Sequence, residues 1–142
     1  MNNVGYSSVK DYDSVAKMAL EEYRIRAGSG DLDALTVEHL GIALKCSGKS
    51  DAARKYLAEA YRLTAKSKRP SREVAYPLLQ NFSSYQMSDY ADRCYRLIRQ
   101  NKGLEPKSAG DFLALAGYFS ARGNADSVVV CTEKAMTMSL EI

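Results

Sequence analysis

One spacing constrains this chain more than any other feature. Apolar residues recur at i, i+3, i+4 and i+7 in three places: Val37, Leu40, Gly41 and Leu44; Ala75, Leu78, Leu79 and Phe82; Phe112, Leu115, Ala116 and Phe119. Each set falls on one face of a helix. A second set follows each first one: Ala53, Leu57 and Ala60; Ala91, Tyr95 and Ile98; Val128, Thr132 and Ala135. From 37 to 53, from 75 to 91 and from 112 to 128 the offset is always 16 residues, and the pairs step by 38 and then 37 residues. A fixed internal period is the mark of stacked supersecondary units.

The punctuation fits three helical hairpins. Gly48 and Gly123 stand between first and second helices, where a left-handed cap is wanted. Ser50 and Ser88 precede second helices as N-caps, and Ser108 precedes a first helix. Pro70, Gly103 and Pro106 lie in the links. Pro77 falls inside a first helix, which predicts a late start or a kink there. Upstream, Val15, Met18, Ala19 and Tyr23 share one face of a leading helix over 13–27, which Asp13 caps and Gly28-Ser29-Gly30 ends. The only β-branched run, Val128–Val130, sits within a helical pattern. The expected fold is all-α: an α-solenoid of about three helix-turn-helix repeats (34–66, 72–102 and 109–139) after one extra helix, in one domain over 1–142.

The chain of 142 residues suits one domain, with 46% hydrophobic and 26% charged residues, an ordinary globular balance. No apolar run approaches the ~20 residues of a membrane span. The N-terminal Met-Asn-Asn-Val-Gly lacks a charged and then apolar leader, so the expected location is intracellular, cytoplasmic or organellar. The cysteines Cys46, Cys94 and Cys131 are odd in number and far apart. That argues against a disulfide framework or zinc ribbon and for small buried hydrophobes in a reducing compartment. His39 is the only histidine. No phosphate loop, GxGxxG, HExxH or GxSxG occurs, and no acidic run has calcium-loop spacing. The reading is therefore of no enzyme, no metal and no cofactor.

The residues of the hairpins resemble the tetratricopeptide repeat. The first carries Leu40-Gly41, Leu44, Gly48, Ala53, Leu57 and Ala60 in that pattern; the third carries Phe112, Leu115, Phe119, Gly123 and Ala135. The second has Leu79 and Gln86 where glycines are usual. The repeats exceed the ~34 residues of that family, and the resemblance covers about 34–138. It implies a concave groove lined by first helices, which docks a peptide or helix of a protein partner. By that carry-over the groove positions are Glu38, Lys45, Asn81, Tyr85, Gly117 and Arg122. A rival resemblance is to the pentatricopeptide repeat, carried by Tyr76 to Pro106 with its ending Lys102-Gly103-Leu104-Glu105-Pro106. That family reads single-stranded RNA one base per repeat. Its reading position holds His39, Pro77 and Ala114 here, and neither Pro nor Ala can hydrogen-bond a base edge through its side chain.

Charge is placed unevenly. Residues 1–48 carry five Lys and Arg against seven Asp and Glu, residues 49–107 thirteen against six, and residues 108–142 two against four. The basic middle concentrates in Arg62, Lys66, Lys68, Arg69 and Arg72, and in Arg93, Arg96, Arg99 and Lys102 three apart along a helix. Such a patch would attract phosphate backbones or an acidic protein; the plain alternative is a solvated face with local pairs such as Asp92 to Arg96. Ten tyrosines offer ring surface for packing or stacking. Met136, Met138 and Leu140 leave apolar residues pending at the last helix, which would suit a homodimer through that end.

Overall fold

The computed structural model describes residues 9–140, so the N-terminal Met-Asn-Asn-Val-Gly lies outside the described residues. The described chain is all helical: α1 (Val9–Ser29), α2 (Ala34–Cys46), α3 (Ser50–Lys66), α4 (Arg72–Ser84), α5 (Ser88–Gln100), a 3-10 turn (Lys102–Leu104), α6 (Ala109–Ala121) and α7 (Ala125–Leu140). Among the described residues no helix is long and apolar enough to cross a membrane. The helices form two compact units, Met1–Lys66 and Ser67–Ile142.

In the first unit α2 packs against both α1 and α3. The α2–α3 interface is sealed: Val37 and Leu40 of α2 and Ala53, Leu57 and Ala60 of α3 are all fully buried. Gly41 lets the two helices approach, because a Cβ there would stand 2.9 Å from the Leu57 side chain. Asp33 caps α2 by accepting from the Thr36 amide at 3.0 Å. Tyr23 of α1 donates to the Glu59 carboxylate of α3 at 3.0 Å and packs edge-on against Tyr56.

In the second unit α4 packs on α5 and α6, and α6 on α7. Successive first helices therefore lie against each other, as stacked hairpins require to close a shared core. Ala75, Leu78, Leu79 and Phe82 of α4 are fully buried. Ser108 and the α6 residue Asp111 form a reciprocal capping box. Cys94 is buried, its thiol 3.3 Å from the Ala75 carbonyl oxygen.

Three turns join the paired helices, and each holds one residue in the left-handed region: Gly48 at φ +82°, Gln86 at +59° and Gly123 at +74°. Their separations, 38 and 37 residues, repeat the step of the apolar pattern. Several local expectations change. α4 begins at Arg72, just after its cap Ser71, and runs through Pro77 rather than starting late. The cap position of α5 is Met87, with no side-chain hydrogen bond, and Ser88 is already helical. Asp13 lies inside α1 instead of capping it. Cys46, unlike Cys94 and Cys131, is exposed.

Candidate functional sites on the helical units

The groove positions carried over from the family pattern fare unequally. Glu38 is not a surface residue: it is 2% exposed, its Oε2 is buried without a hydrogen bond, and burial pushes its carboxyl up to about 8. A charge that loses water without gaining a partner shifts toward its neutral form. Lys45 is half-buried on the same helix. In the second unit, Asn81 donates to the Pro77 carbonyl of its own helix at 2.8 Å, and half-buried Tyr85 ends α4. Gly117 is exposed, with open space where a side chain would stand. Arg122 pairs with Asp92 at 3.3 Å.

The basic candidates divide as well. Arg62 and Lys66 lie exposed on α3, and Lys68 and Arg69 are exposed in the link before α4. Arg72 turns inward. Its guanidinium donates to the Asp111 carboxylate at 3.0 Å, to the Gly103 carbonyl at 2.8 Å and to the Glu105 carbonyl. Five fixed donors on a planar fork suit such a convergence of acceptors. Tyr76 adds a 2.6 Å hydrogen bond from its hydroxyl to the Leu104 carbonyl, and Leu104 is buried. Arg72 and Tyr76 together pin the 102–105 link, so Arg72 serves the fold rather than a surface ligand.

Arg93, Arg96, Arg99 and Lys102 remain exposed along α5 and its end. The Arg93 guanidinium lies 5.3 Å over the Tyr90 ring and that of Arg99 5.8 Å over Tyr95, with Arg99 also donating to the Tyr95 hydroxyl at 3.0 Å. Both distances are within cation–π range. Asp92 is engaged by Arg122 and by the Tyr118 hydroxyl at 2.7 Å rather than by Arg96. Tyr95 and Tyr118 stack with ring centres 4.5 Å apart, and Phe119 meets both edge-on.

Two further features escape sequence reading. A cleft of about 540 Å³ opens between α1 and α2, walled by Val15, Met18, Ala19 and Ile42, with Glu22 and His39 also in its lining. Met18 is 73% exposed and Val15 51%. A second cleft, of about 320 Å³, lies among the end of α5, the pinned link and α6. Periodicity could announce apolar faces on α1 and α2, but not which of them stay uncovered. Among the described residues no group of three His, Cys, Asp or Glu side chains stands close enough to hold a metal ion. In comparisons with known proteins, no family model, no curated protein and no solved structure matches the chain.

Proposed function

We propose that this chain is a non-catalytic binding module of tetratricopeptide-like hairpins that docks an amphipathic helix or peptide of a protein partner. The observation that carries this reading is the α1–α2 cleft. Val15 and Met18 of α1, which line it, are large apolar side chains left half or more exposed. Contiguous exposed apolar surface is what protein-binding sites present. The 21 residues of α1 extend roughly 30 Å, the span of several turns of a docked helix. Two near-neighbour helices with a largely apolar trough between them, edged by Glu22 and His39, suit helix-in-groove recognition. The recurring left-handed turns and the Gly41–Leu57 approach support the tetratricopeptide-like character of the hairpins.

A selection of amphipathic helical peptides against the purified protein tests this. Binders are expected to lose at least ~10-fold in affinity to Met18→Glu, because a charge would enter an apolar contact, and to respond little to salt. Peptides that bind wild type and Met18→Glu alike, or the absence of any binder, would overturn the reading.

A second reading has its own observation. Arg93 and Arg99, exposed and seated on tyrosine rings, would track the phosphates of a single-stranded RNA while rings nearby stack on bases. Anisotropy with a labelled random RNA at low and near-physiological salt tests it. Affinity that collapses with salt favours this reading, and no binding at low salt removes it.

A further inference from the structure

The cleft at the end of α5 combines an apolar floor with a basic rim. Its floor is aromatic and aliphatic: Tyr95, Ile98, Leu115 and Phe119. Its rim carries Arg99 and Lys102, both exposed, and the link residues Glu105 and Pro106 complete its lining. The volume of about 320 Å³ lies at the small end of ligand pockets.

The walls are preorganised. The link cannot swing freely, because Arg72 holds the carbonyls of Gly103 and Glu105 while Tyr76 holds that of Leu104. The floor is fixed by the Tyr95–Tyr118 stack, itself anchored by the Tyr118 hydroxyl on Asp92. One face of the Tyr95 ring is thus taken by Tyr118, and Arg99 sits over that ring too. Phe119 stays only half-buried, so ring surface remains open to the cleft. A site with rigid walls spends less binding energy on ordering itself.

We propose that this cleft binds a 5′-phosphorylated nucleotide, either free or as the end of a single strand. The base would lie against Phe119 and Leu115, and the phosphate would meet Arg99 and Lys102. Flat rings suit a flat base, and the guanidinium fork suits phosphate oxygens. The Glu105 carboxylate, also on the rim, bars a second anionic group and offers an acceptor to sugar hydroxyls or a base amino group. Neither the docking of a helix between α1 and α2 nor a strand lying along α5 is needed for this site.

The test is a titration of the full chain with AMP, adenosine and inorganic phosphate, followed by heteronuclear NMR. AMP is expected to bind with a Kd on the order of 0.1–1 mM, shifting amides of residues 98–119. Adenosine and phosphate alone should each bind at least ~10-fold more weakly, since each keeps one half of the contacts. The double variant Arg99→Gln with Lys102→Gln, at exposed positions, should lose about as much for AMP and far less for adenosine. A 5′-phosphorylated pentanucleotide separates the two sources. Tightening that is lost in Arg93→Gln and Arg96→Gln assigns the strand end, and affinity equal to that of AMP assigns the free nucleotide. No AMP binding up to about 10 mM, or binding indifferent to both the double variant and Phe119→Leu, would overturn the proposal.

Discussion

The Arg72 guanidinium meets the Asp111 carboxylate at 3.0 Å across 39 residues of chain. Asp111 is simultaneously the third residue of α6 and accepts from the Lys107 and Ser108 amides at 2.9 and 3.2 Å. One carboxylate thus caps a helix, pairs with an arginine and fixes the link that Arg72 also grips. Removing Arg72 leaves a largely buried anion short of its cation. Arg72→Ala should cost about 2–4 kcal/mol, below the upper range for buried pairs because Arg72 keeps some exposure. Urea unfolding would measure it, and a cost under about 1 kcal/mol would mean that the pair behaves as a surface one.

A second prediction follows from Gln86. It occupies the turn that Gly48 and Gly123 occupy in the other pairs, with φ +59°. A side chain in that region costs roughly 1–2 kcal/mol, part of which glycine gives back through its larger entropy loss. Gln86→Gly should therefore stabilise the chain by about 0.5–1 kcal/mol, whereas Gly48→Ala and Gly123→Ala should each destabilise it by about 1 kcal/mol. The opposite signs, read from the midpoint of denaturant unfolding, are the check.

Much of the helical layout was legible because apolar spacing reports on burial, and burial on one face at a period near 3.6 leaves few alternatives. Leu40 and Leu57, or Leu78 and Leu79, are as buried as their spacing requires. What was hidden depends on distant partners. Arg72 reads as one more cation of a basic run until Asp111 and the carbonyls of 103 and 105 are seen around it. Glu38 reads as a polar residue between core positions, yet it is buried. Gln86 hides a left-handed turn behind a residue type that gives no sign of one. Both clefts depend on which faces stay uncovered, and residue identity does not encode that.

Gly41 yields a third prediction. A Cβ there would approach Leu57 Cγ and Cδ2 to 2.9 Å and the Leu57 amide nitrogen to 3.2 Å. The equivalent positions 38 and then 37 residues later hold Leu79 and Ala116, so only the first hairpin needs this approach. Gly41→Ala would gain helix propensity, up to about 1 kcal/mol, but overpacking costs about 1–3 kcal/mol. The net should be a loss of about 1 kcal/mol. Beside Leu57→Ala, where space is open, the same change should turn stabilising. A double-mutant cycle with no coupling would show that the helices separate without cost.

The buried Glu38 makes stability depend on pH with a definite sign. Its carboxyl titrates near 8 in the folded chain, against an ordinary value of 4.5. Well below 4.5 the group is protonated whether the chain is folded or not, and it exerts no ionisation penalty. As pH rises past 4.5 the unfolded chain releases its proton while the folded chain still holds it, so unfolding gains a driving force. The loss grows by at most ~1.4 kcal/mol per pH unit and levels off above about 8, where both states are ionised. Glu38→Gln keeps the shape of the side chain without an ionisable proton. It should be more stable than wild type at neutral and alkaline pH, and close to it at pH 4. Thermal or urea unfolding of both proteins from pH 4 to 9 gives the difference directly. A flat difference across that range would mean that Glu38 ionises freely in the folded chain, with water or a cation reaching its buried oxygen.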